Sequence, residues 1–254
     1  MLTDHEKDIM DVCGQVGAIL LTSGAEIQRV EQTVEYIGRA AGLPLNCYVT
    51  VTAVFVSVNE LAATMTFKTK LGGFNLQKVD EINQVSRLFT EKKIDFDTLK
   101  SRVSQIDKKV IDFNWPTKIL GAGLVSVAPM FVFKATWGDL GLAFFIGIFG
   151  YLAAQFFGHH KVFPYLPELV GGFVIALLAI FTVKLGIGIN SSQMIVSALM
   201  PLVPGVAITN SLREITSGEL ISGTLRAVDA ILVAAAIGGG VLLATSIMIG
   251  IGNM

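Results

Sequence analysis

The chain has 254 residues, 52% of them hydrophobic and 15% charged, and a formal net charge of −1. That composition is too apolar for an average soluble domain, and the near-neutral balance without a dense Lys/Arg run argues against a nucleic-acid surface. Charge is unevenly spread: 28 of the 39 charged side chains fall in residues 1–114, which predicts a soluble module there joined to a membrane-embedded part over residues 115–254.

The opening residues are acidic and polar and lack a cleavable signal pattern, so the N-terminus is expected in the cytoplasm. Residues 4–21 place Ile9, Val12, Cys13, Val16, Ile19 and Leu20 on one helical face, with Thr3 and Glu6 as a capping box. Ser23 and Glu26, flanking Gly24 and Ala25, form a second capping-box pattern before a helix running to about residue 41, with Ile27, Val30, Val34 and Ile37 inward. Arg29, beside Glu26 and Glu31, reads either as helix-surface charge or an internal ion pair, or as a contact coupling this module to the membrane part. Gly42-Leu43-Pro44 ends the helix. Two β-prone runs, 47–58 and 61–69, predict a hairpin turning at Asn59-Glu60. After Gly72-Gly73, Asn75 caps a helix carrying Leu76, Val79, Ile82, Val85 and Leu88; Asp95 caps another carrying Phe96, Leu99, Val103, Ile106 and Val110. Cys13 and Cys47 lack metal-like spacing and read as reduced, partly buried thiols. The module shows no phosphate loop, zinc spacing or nucleophile elbow.

Residues 116–134, 140–158 and 167–183 each have the length and composition of a membrane span. Residues 189–212 read as a fourth span broken at Pro201 and Pro204, and 225–251 as a fifth. The predicted fold class is thus a membrane α-helical bundle of about five transmembrane helices with an N-terminal cytoplasmic α+β domain. With the N-terminus inside, Lys108, Lys109, Lys118, Lys161, Arg213 and Arg226 lie on the cytoplasmic side and Lys134 and Lys184 outside, which favours that orientation and puts the C-terminus out. His159-His160-Lys161 reads as an interfacial polar turn rather than a metal site. Gly121, Gly123, Gly147, Gly150, Gly171, Gly172 and residues 238–240 permit close helix packing. Gln155, Gln193, Ser197 and Asp229 are polar groups in apolar surroundings, placed to line a cavity or bond between helices. For Asp229, an ion pair with Arg226 or Arg213 and a transport role such as proton coupling both remain open.

A proline within a helix frees a carbonyl about four residues earlier, so a double break beside Gly205 is best tolerated where the chain lines a cavity. A helix restarting near Val206 would aim backbone N–H groups at the break, the arrangement by which broken transporter helices hold carboxylates. Thr209, Asn210, Arg213 and Glu214 add hydroxyl, amide and charge at spacings that can share one face. The alternative is a kinked packing helix with an ordinary charged end.

The segment 20–31, LLTSGAEIQRVE, together with 201–214, PLVPGVAITNSLRE, and the following Gly218-Glu219-Leu220, resembles the threonine/serine exporter family. The resemblance covers nearly the whole chain. It places the family's soluble-domain signature on Ser23, Gly24, Glu26, Arg29 and Glu31, and its membrane signature on Pro204, Gly205, Asn210, Arg213 and Glu214, where the family often has Asp at the last position. It implies an inner-membrane secondary transporter exporting threonine, serine or a similar small solute, with no cofactor and with possible coupling to protons. A second set of spans present in fused members is missing, which implies a separate small multi-span membrane partner or a homo-oligomer. The expected transport residues are Pro204, Gly205, Gln193, Thr209, Asn210, Arg213, Glu214 and Asp229. Two alternatives stand beside this reading: export of succinate or a related dicarboxylate, and a non-transporting regulatory or assembly subunit. Without a nucleophile–base or metal constellation, an enzyme is not expected.

Overall fold

The computed structural model describes residues 2–58, 62–70, 73–109, 113–158 and 163–252. The chain divides into two units, one built from Met1–Asp112 with Ile208–Ala227, the other from Phe113–Ala207 with Val228–Met254. The segment 208–227, expected with the membrane part, thus clusters with the N-terminal residues.

In the first unit, α1 (Asp4–Thr22) starts at the expected Thr3–Glu6 capping box and buries Ile9, Val12, Cys13, Val16, Ile19 and Leu20. It ends in a Schellman turn: Ala25 N–H donates to Leu20 O and Gly24 N–H to Leu21 O, with Gly24 at φ +87°. Ser23 therefore closes α1 and does not cap α2 (Ile27–Ala40), whose N-cap Glu26 makes no side-chain capping bond. The expected second capping box is replaced because the Glu26 carboxylate is turned to another partner, Arg213.

The β region holds three strands, not two. β1 (Asn46–Thr50) and β2 (Ala53–Val58) fold back over Val51-Thr52 before β3 (Ala63–Lys68), in the antiparallel order β1-β2-β3. The unbroken apolar run concealed this turn, which Thr50 fastens by accepting from Ala53 N–H at 3.1 Å. The turn expected at Asn59-Glu60 lies outside the described residues, as do Gly72 and Val110 of the neighbouring segments. Edge strand β1 receives help from α2: Glu35 accepts from Cys47 N–H at 3.3 Å and Glu31 from Val49 N–H at 2.9 Å. Helices α3 (Leu76–Thr90) and α4 (Phe96–Lys108) are capped by Asn75 and Asp95 as expected. Ile82, Val85, Leu99, Val103 and Ile106 join residues of α1, α2 and the sheet in one core. Both cysteines are buried free thiols there; burial pushes Cys13 up to about 12 and Cys47 higher still, so neither is a ready nucleophile.

In the second unit, α5 (Trp115–Val132), α6 (Trp137–Gly158) and α7 (Leu166–Lys184) are long and apolar enough to cross a membrane, and so is Leu220–Gly250 of α10 (Leu220–Gly252). The segment expected as a fourth span broken at Pro201 and Pro204 forms two short helices on either side of that break, α8 (Ser191–Ala198) and α9 (Gly205–Thr216). At 1.5 Å per residue neither alone reaches the roughly 30 Å of hydrocarbon; among the described residues four unbroken helices have the length and hydropathy of a span. Small residues set the packing. A side chain at Gly172 would meet the Ile237 carbonyl of α10, and one at Gly240 the Leu169 carbonyl of α7. Gly123, Gly147 and Gly150 likewise admit Phe144, Ser126 and Ile175, whereas positions 121, 238 and 239 open onto free space. The His159-His160-Lys161 turn lies outside the described residues.

Candidate functional site

Within the first unit the two sequence signatures meet. The α1–α2 turn leaves the carbonyls of Gly24 and Ala25 outward, because the Schellman turn uses their N–H groups. Asn210 of α9 donates its amide to Gly24 O at 3.0 Å, and Arg226 of α10 donates Nη2 to Ala25 O at 3.4 Å. Arg213 reaches Glu26 at 3.3 Å. Glu214 is fully buried, with the Ile27 backbone N–H facing its carboxylate and Arg226 Nε 3.1 Å from Oε1. That ion pair is close but poorly aligned for a hydrogen bond. Burial pushes the Glu214 carboxyl above its ordinary value, and Arg226 pulls it back. Glu214 thus stands at the N-terminal end of α2, where helix-end N–H groups and their dipole favour a negative charge.

This arrangement gives Asn210, Arg213 and Glu214 partners at the α1–α2 turn of the first unit, with Ser23 buried behind the turn and its carbonyl accepting from Asn75 N–H at 3.0 Å. Glu31 caps the sheet edge. Among the described residues Arg29 makes no ion pair with Glu26 or Glu31, because those carboxylates are turned to Arg213 and Val49. Thr209 is exposed. Pro204 and Gly205 belong to the second unit, so the expected constellation around one broken helix is divided between units. Arg226, weighed as a partner for Asp229, is instead the counter-ion of Glu214.

In the second unit, Asp229 accepts from the Tyr165 hydroxyl at 2.9 Å. Tyr165 precedes α7 with φ +67°, an uncommon conformation for a side chain of this size. Gln193 sits in the first turn of α8, its backbone N–H capped by Asn190 at 3.1 Å. Asp139, almost fully buried, accepts from the N–H groups of Ile189 and Asn190 at 2.9 and 3.2 Å and so fixes the approach to α8.

At the Pro201 break a cavity of about 370 Å³ opens between α6, α7 and the 199–204 segment, lined by Tyr151, Gln155, Glu168, Pro167, Pro201 and Leu202 among others. Glu168 Oε2 is buried without a hydrogen-bond partner among the described residues. The sequence pointed to Gln155 and to the proline break, but Glu168 was passed over because a carboxylate in the first turn of a span reads as a flank. Tyr151, Tyr165 and Asp139 carried no signal beyond residue type. Among the described residues no group of three or more His, Cys, Asp or Glu is placed to hold a metal ion.

The threonine/serine exporter family model (ThrE) matches residues 11–248. The threonine/serine exporter of Corynebacterium glutamicum is 24% identical over 94% of this chain and 52% of its own length. The probable succinate transporter subunit YjjP of Escherichia coli K12 is 22% identical over 97% of both chains. Pheromone-regulated membrane protein 10 of Debaryomyces hansenii is 24% identical over 96% of this chain but 24% of its own. The chain thus spans about half the length of the Corynebacterium relative and nearly all of the Escherichia one. No solved structure matches. With a family match of this extent and four helices of spanning length and hydropathy, the chain is a multi-pass membrane protein that belongs to the threonine/serine exporter family.

Proposed function

We propose that the chain is the larger component of a two-part secondary exporter whose solute passes through the cavity at the Pro201 break. The observation that carries the choice of solute is the Glu168 Oε2 atom, buried in that cavity without a hydrogen-bond partner among the described residues, with Gln155 and Tyr151 also in the lining and no cationic side chain among the described lining residues. An ionised carboxylate in such a place favours a ligand ammonium and disfavours an additional negative charge. A small amino acid such as threonine or serine supplies the ammonium, and its hydroxyl and carboxylate need the neutral donors nearby. Asp229, held by Tyr165, is assigned to proton coupling in this reading. Asn210, Arg213 and Glu214 are assigned to coupling the soluble module to α9 and α10. Gln193 and Thr209 keep supporting roles along α8 and α9. The Lys/Arg bias places the N-terminal module in the cytoplasm.

A second reading, dicarboxylate export, is favoured by the full-length match to the Escherichia subunit. It requires a cation to come from a partner. Everted vesicles loaded by labelled threonine, serine or succinate, with and without a small multi-span partner, separate the readings. We expect threonine and serine uptake that falls at least tenfold in Glu168→Gln. Succinate uptake that is unchanged or raised in Glu168→Gln selects the dicarboxylate reading. Unchanged transport of all solutes by inserted Glu168→Gln and Gln155→Ala proteins would rule out the cavity. Transport by the partner alone, merely modulated by this chain, would identify it as a regulatory subunit.

A further inference from the structure

The first unit holds a second polar recess that the transport reading does not use. On α2, Arg29, Gln32, Thr33 and Tyr36 follow the i, i+3, i+4, i+7 spacing of one helical face; on α3, Asn83, Ser86, Arg87 and Thr90 repeat the same spacing. The two faces line a groove of about 250 Å³. Packed helices ordinarily fill such a seam with apolar side chains, yet all eight residues here carry a hydrogen-bonding group. Thr33 and Ser86 are buried and form the floor, while Arg29, Gln32, Tyr36 and Arg87 stand exposed at the rim.

The charge pattern is one-sided. Neither Arg29 nor Arg87 has an ion-pair partner among the described residues, and no carboxylate lines the groove. The acids of α2 are committed elsewhere, Glu31 and Glu35 to the N–H groups of β1. Glu91, just beyond α3, is held by Lys93 at 2.6 Å. The Thr33 and Thr90 hydroxyls donate to the carbonyls of Arg29 and Arg87 at 2.8 and 3.0 Å, so the two guanidinium groups carry the recognition; they match the chemistry of an oxyanion, since arginine binds carboxylate and phosphate through paired N–H groups.

We propose that the α2–α3 groove is a binding site for a small oxyanion, a carboxylate or phosphate, through which the soluble module senses solute independently of the membrane cavity. The test uses the full chain in neutral detergent at constant ionic strength, titrated by calorimetry with inorganic phosphate, succinate and serine, and with sodium chloride as control. Saturable binding of phosphate or succinate is expected, weakened at least tenfold in R29Q/R87Q and unchanged in K100Q, whose lysine pairs with Asp8 outside the groove. Phosphate binding without succinate binding assigns a phosphate site, and the reverse a carboxylate site. Absence of saturable binding, or equal binding by an R29Q/R87Q protein with a wild-type circular dichroism spectrum, would overturn the proposal. Because E168Q leaves the groove intact, it should bind the anion as wild type does, so a failure here is separable from a failure of the transport reading.

Discussion

Arg226 and Glu214 lie side by side with almost no access to solvent, and neither could be left charged there alone. Removing one partner strands the other: Arg226→Ala should destabilise the protein by about 3–5 kcal/mol, whereas the paired apolar replacement Arg226→Met with Glu214→Leu should be close to neutral or stabilising. Unfolding midpoints of the detergent-solubilised variants check both, and equal losses would mean that the pair is not coupled. Gly24 is a second position where a single atom matters. Its φ of +87° costs a side-chain-bearing residue about 1–2 kcal/mol, and a Cβ there would also strike the Phe74 ring. Gly24→Ala should therefore lower the unfolding midpoint and loosen the Gly24 carbonyl that Asn210 holds.

At the scale of elements, strand β1 depends on carboxylates from α2. Glu31→Ala leaves the Val49 N–H without its acceptor and should cost about 1–3 kcal/mol, while Glu31→Gln keeps an acceptor oxygen and should cost much less. Burial raises the Glu31 carboxyl above its ordinary value. The folded state then binds the proton more tightly than the unfolded chain, so this group's contribution to stability is greatest below pH 4.5 and is lost as pH rises through the folded value. Unfolding midpoints measured between pH 7.5 and 5 should show the wild type gaining more on acidification than Glu31→Gln. Helices α1 to α4 and the caps of α1, α3 and α4 were legible because periodicity and capping chemistry are local. The β1–β2 turn was not, since Val51-Thr52 continues the apolar run and only pairing with β2 reveals it. The second capping box failed for a related reason: Glu26 has the right spacing to Ser23, but a distant arginine competes for it. Three-dimensional partners likewise decided the candidate site. Asn210, Arg213 and Glu214 stood out as polar groups beside a broken helix, and nothing in their spacing disclosed that the α1–α2 turn offers them carbonyls and an N–H.

For the molecule as a whole, two relatives frame the question of partners. The chain matches the Escherichia transporter subunit end to end and about half of the Corynebacterium exporter. On the proposed two-component reading, expression alone should give an inserted protein with little export, and co-expression with a small multi-span partner should restore it at least tenfold; full activity of the purified chain in liposomes would refute that division of labour. Within the second unit, Gly172 and Gly240 bring the backbones of α7 and α10 together, so Gly240→Leu should force the helices apart and lower the yield of folded protein in detergent. One further consequence belongs to the sheet. Copies of a membrane protein are confined to two dimensions at high local concentration, where an open strand edge invites templated growth from molecule to molecule. With the Cys47 and Val49 donors of β1 already taken by Glu35 and Glu31, an incoming strand meets two occupied donors and two like-charged side chains, and fibril growth from that edge is blocked by the fold itself.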